Sequence, residues 1–340
     1  EEALTGHRGP LFAPPPPLGE SALRAAASRH LARCGVLLSP EEVAVVPGRE
    51  AAMARILRLF VPRRGVVLAD RLPDPELAAP VRARRARLVV LPPEEDERSL
   101  PAAIRRLTPR LLLVTTGASR LPGPIPGPAR RRALLDLARE RSIPVVEDVT
   151  HTEWLQNPPV PPPLAVLDRA GRVLPLCDLS DEAGGAFAAA AVGATSKALD
   201  RLRLVADPTE RSLDRLAQTA LAHALDSPTR IRTLRAVREK RKLLVAAVTR
   251  SLRRRLANAP GFEFSAGADA VRVDLPEGVS GEDVREAARD RGVLVRTARD
   301  CGSPPSGDRF LLLDLTRHDE GDLLDGIRLL GEALDEVYST

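Results

Sequence analysis

Between residues 42 and 193 the chain alternates between two kinds of segment. Short apolar runs recur: EVAVV (42–46), GVVLA (65–69), RLVVLP (87–92), RLLLVTT (110–116), IPVVED (143–148), RVLPLCD (172–178) and GAFAAAAVG (185–193). Longer amphipathic stretches lie between most of them, such as REAAMARILRLFV (49–61), PELAAPVRARRA (75–86), SLPAAIRRL (99–107) and PARRRALLDLARERS (128–142). The runs are apolar at successive positions, so both faces of each strand must be covered. Strands of that kind, alternating with helices, predict a mostly parallel seven-stranded sheet sandwiched by helices.

The pattern changes near residue 200. Two helices are predicted, the second long (228–257), then a hairpin over FEFSAGADAVRVDLP, a helix over SGEDVREAARDRG with Ser280 as its N-cap and a glycine after it, two strands (VLVRTA and RFLLLDL) and a closing helix. The expected organisation is an extended N-terminal arm (1–20, proline-rich), a large α/β domain (21–227), a bridging helix (228–257) and a smaller C-terminal α+β domain (258–340).

Composition excludes several classes. Net charge is +5, carried almost wholly by arginine, with lysine only at 197, 240 and 242 and acidic residues interleaved throughout. No recognition helix or aromatic-basic platform is visible, so direct DNA contact by this chain is not expected. Cys34, Cys177 and Cys301 are odd in number and widely spaced, so neither a disulfide framework nor a Cys-x-x-Cys site is implied. No apolar run spans a bilayer. No membrane association and a cytoplasmic location are expected.

The chemistry-bearing residues gather at predicted strand ends, where α/β proteins place ligand contacts. Gly48 lies between a strand and a helix, as a phosphate-binding turn or as a plain turn. Asp148 ends IPVVED, as a partner for a protonated ring nitrogen or as a cap for the next segment. The corner after VLPL offers Cys177, Asp178, Ser180 and Asp181. Asp148, His151, Asp181 and Arg120 form a candidate acid–base cluster. A Cys177–His151 pair is geometrically conceivable, with a small buried cysteine as the plainer alternative. Neither nucleotide fingerprint is present, and no histidine spacing suggests a metal, so none is expected.

The order of pieces, with LRAAASRHLARCGVLLSPEEVAVVPG, ARRRALLDLARERSIPVVEDVTHTEW, PPLAVLDRAGRVLPL and VREAARDRGVLVR, resembles the fold-type-I pyridoxal-phosphate (PLP) enzymes. The closest resemblance is to the aminotransferase-like domain of MocR-type regulators in the GntR superfamily. It covers nearly the whole chain and implies the fold-type-I aminotransferase-like fold and a homodimer, with the proline-rich arm reaching across to the partner. In those regulators the domain follows a winged-helix domain, so DNA is expected to be contacted only through a separate N-terminal domain.

Carried over residue by residue, the resemblance implies a degenerate cofactor site. Ser180 matches the serine of the family's Ser-Lys pair, but Asp181 stands at the Schiff-base lysine. Ala188 falls at the arginine that grips the cofactor phosphate. Asp148 keeps the aspartate that pairs with the pyridine nitrogen, and Thr150 replaces a tyrosine. Arg120 replaces an asparagine or aromatic, Asp74 an aromatic, and Leu312 an arginine for the substrate carboxylate. Gly48 is kept in the phosphate loop, followed by an off-pattern Arg49. A carboxylate cannot act as the amine nucleophile, and Lys197 is a poor substitute. The expectation is therefore no bound cofactor and no ordinary transamination, with the cleft (Arg49, Asp74, Arg120, Thr150, His151, Asp178, Asp181, Ala188, Leu312) serving a small-molecule effector. The alternatives are a PLP-independent enzyme with a repurposed cleft and a non-covalent PLP binder.

Overall fold

The computed structural model describes residues 13–91, 98–117, 121–123, 126–152, 161–181, 185–207, 210, 213–256, 261–267, 269–301 and 309–338. The chain divides into two compact units. The first comprises 1–117, 125–153 and 159–234, and the second 118–124, 154–158 and 235–340.

All seven expected strands of the first unit form: β1 (Val43–Val46), β2 (Val66–Ala69), β3 (Arg87–Val90), β4 (Leu111–Thr115), β5 (Val145–Asp148), β6 (Val173–Asp178) and β7 (Ala190–Gly193). They build one sheet in the order β1-β7-β6-β5-β4-β2-β3. β2 through β6 pair in parallel, and β7 runs antiparallel to both β6 and β1. Because β7 alone is reversed, β1 points the same way as β6. The carboxyl ends of β1, β2, β4, β5 and β6 therefore share one edge of the sheet.

Period-two alternation sends successive residues to opposite faces. Ala44, Val46, Val67, Ala69, Leu111 and Leu113 pack on one face with Met53 and Ile56 of α2 (Arg49–Phe60), Leu77 and Val81 of α3 (Pro75–Ala83) and Leu199 of α7 (Ser196–Leu204). On the other face Val43 and Val45 meet Leu23, Ala27 and Leu31 of α1 (Ser21–Arg33) and Leu221 of α8 (Arg215–Asp226). Farther along that face Leu68, Leu112 and Val114 meet α4 (Leu100–Leu107) and α5 (Pro128–Arg141), beside the short α6 (Leu164–Leu167). β3 is the edge, half-exposed and opened by Arg87, a charge that discourages pairing with another chain.

The described end of the N-terminal segment is fastened to its own chain. Val45 N–H donates to Leu18 O, Glu20 N–H to the Gln218 side chain, and Arg215 to Pro14 O. Those hydrogen bonds hold Pro14, Leu18 and Glu20 against β1 and α8.

The second unit is an antiparallel sheet in the order β10-β11-β9-β8, made of β8 (Glu263–Ala266), β9 (Ala270–Asp274), β10 (Arg296–Thr297) and β11 (Phe310–Asp314). α9 (Pro228–Arg255) supplies Val245, Val248 and Leu252 to its core, alongside α10 (Gly281–Asp290) and α11 (Glu320–Tyr338). The predicted strand VLVRTA shrinks to two residues. The Ser280 side chain caps α10 through Asp283 N–H, as expected. Among the described residues no helix is long and apolar enough to cross a membrane.

One close approach fixes the loops at the carboxyl edge. A Cβ added to Gly117, just past β4, falls 1.7 Å from Thr150 O, and Gly117 N–H donates to Asp148 O. Gly117→Ala forces two backbone segments apart. It is expected to lose stability at the upper end of the roughly 1–3 kcal/mol typical of overpacking, read as the urea midpoint of the purified chain.

Candidate functional site

The carboxyl edge gathers acids because β5 and β6 both end in aspartate. The two end alike: Asp148 Oδ1 accepts from Thr150 N–H at 3.0 Å, and Asp178 Oδ1 accepts from Ser180 N–H at 2.8 Å. Each is a side-chain turn closing on the second residue beyond. Thr150 Oγ1 accepts from Asp178 N–H at 3.0 Å and ties the two ends together. The second oxygen of each carboxylate is thereby left for another partner.

Arg49 fills that space. It leaves the first turn of α2, whose N-cap is Gly48 at φ 90°, a left-handed conformation that favours glycine. Arg49 Nη1 donates to Asp148 Oδ2 at 3.0 Å and to Asp74 Oδ2 at 3.2 Å, and Nη2 donates to Glu76 Oε2 at 2.6 Å. Arg49 Nε lies 3.5 Å from Asp178 Oδ2. The Arg49 side chain is 2% exposed. Asp74 is the N-cap residue of α3, and Glu76 sits in the first turn of that helix. Burial pulls the guanidinium downward, but Asp148, Asp74, Glu76 and Asp178 together outweigh it, so its proton is held more tightly than in water.

Two further buried charges, Asp70 and Arg71, sit nearby at the end of β2. Burial pushes Asp70 from 3.8 up to about 6, against the opposing pull of Arg71 and of the Thr115 N–H bond. Burial likewise lowers Arg71, whose side chain donates to Gly117 O.

The expected corner forms with a different bonding pattern. Asp181 Oδ2 lies 2.8 Å from His151 Nε2, and the Asp181 carbonyl accepts from Arg230. His151 takes a positive φ of 56°. Among the described members of the four-residue acid–base cluster, His151 and Asp181 are hydrogen-bonded. Asp148 is engaged by Arg49, and Arg120 lies outside the described residues. The Cys177–His151 pair does not form. Cys177 is buried against α1 with Cys34, while His151 faces Asp181. Ser180 Oγ is tied to the backbone of Ala189. Ala188 lies beside the phosphate-type turn, its Cβ 3.6 Å from a Cβ added to Gly48. Leu312 belongs to the other unit, in β11, paired with Arg272 and Arg296.

Lys197 is exposed in the first turn of α7, which follows β7. The β7 end that leads to it, Gly193, pairs with Val43 at the start of β1. Lys197 therefore leaves the sheet at the edge opposite Asp148 and Asp178. The sequence places Arg49 in the candidate cleft as an off-pattern residue, but does not reveal it as the hub, nor Glu76, Asp70 and Arg71. One signal was available: a basic residue in the first turn of a helix opposes the macrodipole, and its position there implies acidic neighbours.

Replacing Arg49 with Met leaves buried carboxylates without their cation. The expected loss is about 3–5 kcal/mol near neutral pH, read from denaturant melts of the two proteins. Asp70 has the opposite sign. Its folded pKa lies above its unfolded one, so the folded chain binds the extra proton and stability falls as pH rises from 3.8 to about 6. Asp70→Asn keeps an acceptor for Thr115 and is expected to be more stable than the parent above that window, by about 3 kcal/mol, with the gap closing below it.

No protein-family model matches the sequence. The chain is 27% identical over 305 residues to the 2-aminoadipate transaminase of Thermus thermophilus, covering 87% of this chain and 76% of that protein. It is 28% identical over 240 residues to a protein of Rhizobium meliloti named as the probable rhizopine catabolism regulatory protein MocR, covering 69% of this chain and 48% of the other. It thus spans about half the length of that regulator. Among solved structures, the α-aminoadipate aminotransferase LysN of Thermus thermophilus, complexed with N-(5'-phosphopyridoxyl)-L-leucine, superposes with a TM-score of 0.83 at 23% identity, over 96% of this chain and 84% of that one. These likenesses overturn the expectation of no cofactor: they point to PLP as the group that goes with this fold. The positions that the resemblance assigns to that group hold the following residues in the structure. Asp148 is bridged by Arg49, a carboxylate stands at 181, and an alanine stands at 188. The chain has the α/β fold of the fold-type-I PLP aminotransferases, and a regulator of the MocR type stands among its relatives.

Proposed function

We propose that this chain is an aminotransferase-fold domain that does not transaminate and works as the effector-sensing and dimerisation domain of a MocR/GntR-like cytoplasmic regulator. The carrying observation is the chemistry at position 181. A carboxylate there, 2.8 Å from His151, has no lone-pair amine to add to a carbonyl. The topology supports the same reading. The described lysines are Lys197 beyond the far edge of the sheet, Lys240 exposed on α9, and Lys242 paired with Glu239 on that helix.

Arg49 strengthens the reading. A sensor needs a cleft whose charge balance a ligand can disturb, and here one guanidinium balances four carboxylates. A cationic or amine-bearing effector suits the surplus of negative charge. PLP, to which the comparisons point, is the first ligand to try.

The chain is to be incubated with PLP, 2-aminoadipate and 2-oxoglutarate. Turnover is expected to stay at the level of free PLP, and borohydride reduction followed by peptide mass spectrometry is expected to find no pyridoxyl-lysine. Sedimentation is expected to show a dimer. Turnover well above free PLP, lost on replacing a lysine that carries the pyridoxyl group, sinks the reading.

A further inference from the structure

Away from the carboxyl-edge cleft, two thiols and an imidazole converge inside the first unit. His30 and Cys34 are four residues apart at the end of α1, a spacing that places them on one helical face. That face meets β6, where Cys177 points to the same side of the sheet. One ligand atom from each of His30, Cys34 and Cys177 lies within 4.8 Å of the others. His30 is 4% exposed, Cys34 3% and Cys177 0%.

We infer that His30, Cys34 and Cys177 form a three-coordinate site for a soft monovalent metal ion of the Cu(I) class. The donor set is one argument: thiolate sulfur selects soft ions, and imidazole suits copper. Donor spacing is another. An ion at the centre of a triangle, with bonds of about 2.3 Å to sulfur and about 2.0 Å to nitrogen, separates a sulfur and a nitrogen donor by about 3.7 Å. Cys34 Sγ and His30 Nε2 stand 4.0 Å apart, so this pair closes with a shift of a few tenths of an ångström, and Cys177 Sγ lies within 4.8 Å of both. The third argument is coordination number. The described residues bring three donors together, whereas Zn(II) in a buried structural site takes four.

The proton balance is definite. Arg33 Nη2 lies 3.1 Å from His30 Nδ1 and also donates to Leu225 O. A guanidinium can only donate, so Nδ1 accepts and the neutral ring carries its proton on Nε2, toward Cys34. On binding, the two thiol protons pass to solvent, the Nε2 proton is replaced by the metal, and Nδ1 takes up one proton. Arg33, exposed at the surface, then turns away from Nδ1. Copper does not change oxidation state. The two thiolates and one monovalent cation leave a net single negative charge, which the Arg33 guanidinium offsets.

The test uses the full chain, reduced and anaerobic. It is titrated with the acetonitrile complex of Cu(I) against a chromophoric Cu(I) chelator. One tightly held equivalent is expected, with X-ray absorption giving two sulfurs and one nitrogen around the metal. Cys34→Ser and Cys177→Ser are each expected to weaken binding by at least about 100-fold, and Cys301→Ser to leave it unchanged. Several results overturn the proposal: no tight equivalent, a tight equivalent that survives both Cys34→Ser and Cys177→Ser, an equivalent lost with Cys301, or tighter binding of Zn(II) than of Cu(I). The X-ray absorption of the unmutated chain decides the matter even if a serine variant fails to fold.

Discussion

A single buried guanidinium organises the carboxyl edge of the large sheet. Four carboxylates, from the loop before α3, from α3 itself and from the ends of β5 and β6, converge on Arg49. Without a cation, three side chains that are almost completely buried would sit charged at close range, a cost of several kcal/mol per ion. Their attraction to Arg49 offsets that cost, and it does so only because each carboxylate is already oriented. Asp148 and Asp178 are aimed by their own side-chain turns, and Asp74 is aimed by its place at the start of α3. The backbone therefore preorganises the acids, and the sheet topology brings Arg49 to the same edge.

That arrangement changes what the cleft can accept. The aspartate that in the resembling family faces a protonated ring nitrogen here faces a guanidinium. Both partners are cations that donate to a carboxylate, so Asp148 keeps its electrostatic role while its partner comes from within the chain. The turn at Gly48 keeps its left-handed glycine, yet Ala188 beside it brings no charge, and the arginine next to it turns toward acids. An incoming anion meets a surplus of carboxylates. An incoming cation meets a ready set of acceptors if Arg49 yields one of them.

Much of the fold was legible, and the reason is local. Strands such as Leu111–Thr115 are apolar at every position because both faces are covered, and the run is visible without knowing its neighbours. The start of α9 and the cap at Ser280 were legible for the same reason. The site was legible in part. Asp148, Asp178 and Asp181 stand out as acids at the close of apolar runs. Their partners do not, because Arg49 is 99 residues from Asp148 and 25 from Asp74, and only the sheet order brings them together. The strand VLVRTA illustrates the opposite failure: its composition favours a strand, but only Arg296 and Thr297 find partners in β11.

The last two residues of β6 join the cleft to the core. Cys177 and Asp178 are consecutive, so the pleat sends them to opposite faces. Cys177 lies with Cys34 under α1, and Asp178 reaches Arg49 at the start of α2. The strand end is therefore held from both sides by groups whose bonding depends on charge. A thiophilic ion drawing Cys177 toward α1 would tighten one face, while Arg49 fixes the other. Thr150, which accepts from Asp178 N–H, carries any shift of that strand end to the neighbouring loop that holds His151. The two clusters thus meet at one structural element, the end of β6.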